Sequence, residues 1–279
     1  HKSDGLSCQK FTKFFKREQM IHKTAIIDKK ATISNNVKIG AYSIIGPNVQ
    51  IRENTEIQSH VNIIGQTMIG KNNKIYPFAS IGNDPQDMKY KGEVTKLTIG
   101  DNNIIREYVT INPGTAHGGG ETRIGNKNLL MIGAHIAHDC ILGNKIVIAN
   151  NAAIAGHAEI DDNVILGGNC GVHQFTRIGK MAMIGGMTGV SRDIIPYALS
   201  TGNRNVLNGI NIVGLRRLNI PNKDIISLTD AYKSIFRTEN LSENLKNLKS
   251  DITKNNLVME IIEFINKDKK RPICTPTIK

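Results

Sequence analysis

Aliphatic residues recur along this chain at every sixth position. Isoleucine occupies 21, 27, 33, 39, 45, 51, 57, 63, 69, 75 and 81 without a miss, and the spacing returns at Ile99, Ile105 and Ile111. After one phase shift it continues through Ile124, Leu130, Ile136, Leu142, Ile148, Ile154, Ile160, Leu166, Val172, Ile178, Ile184 and Val190. Such a period matches neither a helix face nor the two-residue alternation of a strand. It is the hexapeptide signature of a parallel β-helix. The fifth position of a hexad is small or aliphatic at Ala25, Val37, Ser43, Val49, Val61, Ala79, Val109, Ala152, Ala158 and Val164, so it also points inward. With three hexads to a coil, residues 18 apart stack at the ordinary strand spacing of about 4.8 Å.

The period lapses twice. Asp87 and Glu93 stand where aliphatics are due, so "NDPQDMKYKGEVTK" (83–96) reads as an extruded loop. The triple glycine of "PGTAHGGGETR" (113–123) cannot pack as a rung and reads as a mobile excursion. Loops thrown out of a regular scaffold are common seats of function. After Val190 the period stops, and "NGINIVGLRRL", "NKDIISLTDAYKSIFRT", "SENLKNLKSDI" and "LVMEIIEFINKDKK" carry helical spacing, with Pro221 and Asn222 marking a start. The chain is therefore expected to be mostly β. Residues 20–195 form a hexapeptide-repeat β-helix, and 196–279 form a helical C-terminal domain that covers one open end. Residues 1–19 read as an added or disordered extension ahead of a native start at Met20.

Composition narrows the class. Aromatics are 5% with no tryptophan, so the core must be aliphatic. Cys8, Cys140, Cys170 and Cys274 lie far apart without CxxC pairing, which fits a reducing cytoplasm better than a disulfide framework or a zinc ribbon. No apolar run is long enough for a membrane span, and no signal peptide is evident. The formal charge of +12 is scattered, without the basic helix or aromatic-interleaved motif that nucleic acid would call for. It suits an acidic protein partner or a phosphorylated substrate equally well.

The chemistry concentrates in "MIGAHIAHDC" (131–140). His138 and Asp139 fall at positions three and four of the hexad that begins at Ile136. His157 takes position four one coil on, and Gln174, with His173 beside it, stacks 36 residues above His138. His135 closes the preceding hexad. All six are expected to converge on one edge of the prism. Three histidines on a β-helix resemble the zinc site of gamma-class carbonic anhydrases, whereas the adjacent Asp139 points to a histidine base with an orienting carboxylate. No serine or cysteine here has the setting of a nucleophile, and Cys140 falls at an inward position. A base that deprotonates a substrate hydroxyl directly is the stronger reading.

"IGNDPQDMKYKGE", "INPGTAHGGGETRIG", "NLLMIGAHIAHDC", "NNAAIAGHAEI", "GVHQFTRIG" and "NIVGLRR", in this order, resemble the bacterial UDP-N-acetylglucosamine acyltransferases of lipid A biosynthesis. The resemblance runs from about Met20 to near the C-terminus. It implies a left-handed β-helix, a homotrimer with active sites between subunits, and no metal or other cofactor. The implied reaction moves a (R)-3-hydroxyacyl group from acyl carrier protein to the 3-hydroxyl of UDP-N-acetylglucosamine, the first step of the pathway. His138 would be the general base, Asp139 would hold its tautomer, and the Gly156 N–H would stabilise the oxyanion. Gln86, Asp87 and Lys89 would hold the sugar, acyl chain or phosphates. His135, His157, His173 and Gln174 would line the cleft, and Asn211 and Arg217 would meet the nucleotide. Gly186 would gauge acyl length; its missing side chain leaves room for about 14 carbons rather than about 10. The chain departs from the family pattern at Val213 and Leu218, apolar where other members are polar. The nearest rival is the N-acyltransferase of the same pathway, which carries an extra N-terminal domain; here the hexads begin at Ile21.

Overall fold

Two residues of each hexad pair as strand and the other four turn the chain. In the computed structural model, which describes residues 20–248, 253–267 and 270–277, Ile44 and Ile45 pair in parallel with Ile26 and Ile27 on one side and with Asn62 and Ile63 on the other. This 18-residue register, lengthened where the two excursions leave the prism, builds three sheets of nine, eight and ten strands, one on each face of a left-handed parallel β-helix. The extension over 1–19, with Cys8, lies outside the described residues.

The turn has a fixed requirement at position four. Asn36, Asn54, Asn72, Asn102, Asn151, Asn163 and Asn169 all adopt φ between 55° and 59° there, a conformation asparagine tolerates better than most L-residues. Inside, the first-position aliphatics from Ile39 to Val190 are buried, and Val49, Val61, Ala79, Val109, Ala152 and Val164 fill the fifth position beside them.

Both excursions rejoin the lattice earlier than the sequence indicates. Lys96–Ile99 and Glu121–Ile124 are strands of the eight-stranded sheet. Leu97 and Thr122 stand at the inward fifth position and are fully buried, which holds these segments in register. Pairing also continues past the boundary expected at 195. Ala198–Thr201 lies parallel to Met183–Ile184, and Val206–Ile210 folds back antiparallel on it. The helical spacing read through "NGINIVGLRRL" is thus strand in its first part. Leu207 and Ile210 are buried as the final hairpin closes its sheet.

The helices follow at once. Asn211 caps α1 (Ile212–Arg217), accepting from the Gly214 N–H at 3.0 Å. Next come α2 (Asn222–Ile235), α3 (Leu241–Lys246) and α4 (Asn256–Asn266). α2 buries Ile225, Leu228, Ala231 and Ile235, one face at helical spacing. α4 is fastened to the prism by polar contacts. The Arg177 guanidinium pairs with buried Asp193 at 2.8 Å, lies 4.3 Å from the Phe264 ring and donates to the Phe264 carbonyl. Glu260 accepts from Lys180 at 3.1 Å and from the Tyr197 hydroxyl. Among the described residues no helix is long and apolar enough to cross a membrane.

Candidate active site

The edge between the nine-stranded and eight-stranded faces carries Asp139, His157 and Phe175 at position four of successive coils, with φ of 59°, 61° and 61°. His138, Gly156 and Gln174 precede them. The Asp139 N–H donates to Thr122 Oγ1 at 2.8 Å, which fixes the turn. His138 Nδ1 then lies 2.8 Å from Asp139 Oδ2, and the two side chains are only 6% and 1% exposed. Thr115 reaches the same carboxylate from the second excursion: its N–H donates to Oδ1 at 2.9 Å and its hydroxyl to Oδ2 at 2.6 Å. With three donors on it, Asp139 must be the acceptor, so the Nδ1 of His138 carries the proton and Nε2 presents its lone pair. Among the described residues nothing hydrogen-bonds to that nitrogen. The ring rests on Gly156, where a Cβ would come within 2.5 Å of His138 Cε1 and 2.7 Å of Nε2. The Gly156 N–H makes no hydrogen bond among the described residues.

His157 meets His138 edge-on at 5.1 Å and stacks on Phe175 at 4.4 Å, with the Lys270 ammonium 4.6 Å from the Phe175 ring. Burial lowers the His157 pKa first of all; Asp139 opposes this, while His138, Lys270 and His117 add to it. Asp139 is held below its ordinary value even though burial, the largest influence, pushes it up. Hydrogen bonds from His138 and from the hydroxyl and N–H of Thr115 together outweigh the burial. Because the folded-state pKa is depressed, the ionised carboxylate contributes stability that is fully present above the ordinary aspartate value of 3.8 and is lost as the pH falls through the lower folded value. Thr115→Val removes one of the lowering donors. Acid unfolding followed by circular dichroism should therefore begin at a higher pH in Thr115→Val than in the parent.

Not every expected residue joins this corner. His135 lies on the flat strand His135–Ile136, with Nδ1 2.7 Å from Thr110 Oγ1. It neighbours the corner without entering it, and burial, then the His138 charge, lowers its pKa. Among the described residues of one chain, no three histidines converge as a zinc site would need. Ligand atoms of His138, Asp139 and His157 do lie within 4.8 Å of one another, but the Asp139 oxygens are already committed to three donors. His173 is exposed and takes a hydrogen bond on Nδ1 from Arg271, whose Nε also donates to the Gln174 carbonyl at 2.9 Å. Gln174 stays exposed on the edge above Gly156.

In the first excursion Gln86 and Lys89 are exposed, and Asp87 accepts from the Lys89 N–H at 2.9 Å. That hydrogen bond is the main reason the Asp87 carboxyl lies below its ordinary value; burial opposes it, and His117 and the more distant His138 charge assist. Gly186 sits on another edge of the prism, between the ten-stranded and nine-stranded faces, where a Cβ would meet only Gly168, 3.3 Å from its carbonyl oxygen. Asn211 uses both polar atoms within the fold: Oδ1 caps α1 and Nδ2 donates to the Met181 carbonyl at 3.0 Å. Arg217 ends α1 exposed, flanked by the exposed apolar Val213 and Leu218. The sequence reading missed Thr115, His117, Phe175, Lys270 and Arg271. Phe175 alone had a signal, since it stands 18 residues after His157.

This coil geometry places the chain among the hexapeptide-repeat β-helix proteins. Residues 193–274 match the family model described as UDP-N-acetylglucosamine O-acyltransferase, domain 2. The acyl-[acyl-carrier-protein]–UDP-N-acetylglucosamine O-acyltransferase of Rickettsia canadensis (strain McKiel) is 56% identical over 91% of this chain and 97% of that protein. The protein of the same name from Thermodesulfovibrio yellowstonii is 47% identical over 91% and 98%. The crystal structure of UDP-N-acetylglucosamine O-acyltransferase from Moraxella catarrhalis RH4 superimposes with a TM-score of 0.88 at 46% identity, covering 91% of this chain and 99% of that one. The chain belongs to the acyl-[acyl-carrier-protein]–UDP-N-acetylglucosamine O-acyltransferase family and is an enzyme of that class.

Proposed function

We propose that this enzyme transfers a (R)-3-hydroxyacyl chain from acyl carrier protein to the 3-hydroxyl of UDP-N-acetylglucosamine, the first step of lipid A biosynthesis in the cytoplasm. The observation that carries the mechanism is the His138–Asp139 pair, with Nδ1 tied to the carboxylate and Nε2 unpaired. Nε2 takes the proton of the sugar hydroxyl as its oxygen attacks the thioester carbonyl. Asp139 holds the tautomer and stabilises the imidazolium. The Gly156 N–H, beside the ring, donates to the oxyanion, and collapse of the intermediate expels the carrier thiolate, which recovers the proton from His138. The state of two candidate nucleophiles beside His138 supports direct transfer without an acyl-enzyme. Cys140 is buried, donates to the Ala155 carbonyl at 3.2 Å and has its thiol pushed up to about 12 by burial. The Thr115 hydroxyl is spent on Asp139.

The acceptor is held by Gln86, Asp87 and Lys89 of the first excursion, with His135, His157, His173 and Gln174 lining the cleft. Gly186, Asn211 and Arg217 complete the site from a second copy. His138 and Gly186 lie on different edges of one prism, separated by the nine-stranded face, so a cleft that includes both needs two chains. That face supports a homotrimer. Its outward positions include exposed Ile26 and Ile44 and the small Ala153, Gly171 and Gly189. Along its Gly186 edge Tyr42, His60, Phe78 and Tyr108 stack at 5.1–5.2 Å as a largely exposed ladder, of the kind an interface covers.

The test is product identity. Incubation with 3-hydroxyacyl carrier protein and UDP-N-acetylglucosamine in chelator should give a mono-acylated UDP-sugar cleaved by mild alkali, as an O-ester is. No transfer to this acceptor, whose nitrogen is already acylated, but an alkali-stable amide formed on a UDP-glucosamine with a free 2-amine would instead assign the protein to N-acyl transfer, and no turnover with stoichiometric zinc in the purified protein would support the carbonic anhydrase chemistry.

A further inference from the structure

The two excursions from the prism do not hang free. Asn112 at the root of the second donates to the Asn83 and Asp84 carbonyls at the root of the first, at 3.0 and 3.1 Å. The Lys96 N–H donates to the Gly120 carbonyl at 2.8 Å, and the Gly114 N–H to the Lys96 carbonyl at 3.1 Å. Within this frame, three of the four residues from Thr115 to Gly118 reach one or the other of the two carboxylates of the site. Thr115 gives two hydrogen bonds to Asp139. His117 Nε2 lies 3.0 Å from Asp87 Oδ2. Gly118 passes so close to Asp139 and His157 that a Cβ there would collide with both. The segment is folded around one point, since the N–H groups of Gly118 and Gly120 both donate to the Thr115 carbonyl, at 3.0 and 2.9 Å.

We infer that the segment Thr115–Gly118 is a gauge that sets the distance between the carboxylate that receives the acceptor sugar, Asp87, and the carboxylate that holds the base, Asp139, with His117 acting as a positioning residue through Asp87. This rests on the proposed reading of Asp87 as an acceptor contact. Thr115 and His117 are two residues apart on one tight turn, so the turn transmits the position of one carboxylate to the other. Without His117, Asp87 keeps only the Lys89 N–H of its own loop, which moves with it and cannot locate it relative to His138. The pair has little else to do. His117 is 40% exposed, and a single hydrogen bond from a side chain that open to water adds little to folding. The rate of a positioned bimolecular step, in contrast, falls steeply with small displacements. His117 does not exchange a proton with substrate in this role; its Nε2–H fixes one carboxylate oxygen and leaves the other free to accept from a sugar hydroxyl once the Lys89 N–H is shared or displaced.

The experiment compares full-length parent, His117→Ala and His117→Gln with saturating 3-hydroxyacyl carrier protein and varied UDP-N-acetylglucosamine, then with the substrates exchanged. Glutamine places an N–H donor near the position of Nε2. His117→Ala should lose on the order of 10–100-fold in kcat/KM for the UDP-sugar, with the KM for the acyl donor and the thermal midpoint unchanged. His117→Gln should recover most of that loss, and His117→Ala combined with Asp87→Ala should be no worse than Asp87→Ala alone. Equal kcat/KM in parent and His117→Ala, or no recovery by His117→Gln, would overturn the gauge. So would a KM for the acyl donor that rises along with the loss. A parent that does not acylate the UDP-sugar at all would refute the proposed function instead, so the two failures are separable.

Discussion

Asp139→Asn should fold like the parent and turn over on the order of 10³–10⁴ times more slowly, the scale seen when a base loses its orienting carboxylate to an amide. The fold should survive because asparagine suits the 59° φ at this position at least as well as aspartate. Thr115 also dictates the amide orientation. Its N–H requires an oxygen at the Oδ1 position, which leaves the amide NH₂ at the Oδ2 position facing His138 Nδ1. The Thr115 hydroxyl can rotate to accept from that NH₂. The imidazole cannot adapt without harm: with a donor facing it, Nδ1 must become the acceptor and the proton moves to Nε2. The nitrogen that should take the sugar proton is then already protonated. Circular dichroism and UDP-sugar binding should match the parent while kcat falls. A variant that keeps more than about a tenth of parental kcat would show that tautomer control at His138 is not what Asp139 supplies.

Gly156→Ala should cost roughly 100-fold in kcat with little change in thermal stability. The new methyl would come within 2.5 Å of His138 Cε1 and 2.7 Å of Nε2, closer than real Cβ contacts allow, and the ring is the group that can yield. The Gly156 backbone is held by its place in the coil, where its carbonyl accepts from the Phe175 N–H at 3.1 Å. The ring, anchored only at Nδ1, must swing about that hydrogen bond and carry Nε2 off its line to the substrate. A displacement of about 1 Å is enough for a loss of this size. The measurement is kcat together with calorimetric binding of the UDP-sugar. Unchanged binding with the expected kcat loss would separate a displaced base from a blocked cleft, and a parental kcat would show that Nε2 need not sit over Gly156.

The repeat made most of the prism legible because its register is arithmetic: a coil of 18 residues places each first-position aliphatic on the last one, and the three faces follow. The same arithmetic puts His138, Gly156 and Gln174 in one column and Asp139 and His157 in the next, a column that Phe175 also joins. It failed where the chain leaves the lattice. His135 closes the hexad before Ile136 and is expected at the same corner, but position six of a hexad is strand, so its side chain stands on the flat face. His173 is engaged by Arg271, which arrives from the far end of the chain. The hairpin through Val206–Ile210 uses residues whose apolar spacing fits a helix and a strand alike, and the pairing with Ala198–Thr201 decided it. The contacts of Thr115 and His117 left no trace in the period, since loop residues inherit no register. For the same reason 113–123, expected to be a mobile excursion, is tied down at Asp139 and Asp87.

The most direct test of the account compares acyl transfer by the parent and by His138→Ala, in metal-free buffer with chelator, from 3-hydroxyacyl carrier protein to UDP-N-acetylglucosamine, with UDP-sugar binding measured on both. A metal-independent base at His138 predicts robust turnover by the parent, and a kcat at least 100-fold lower in the variant with binding retained. Loss of parental turnover in chelator, or a variant that turns over like the parent, would contradict it.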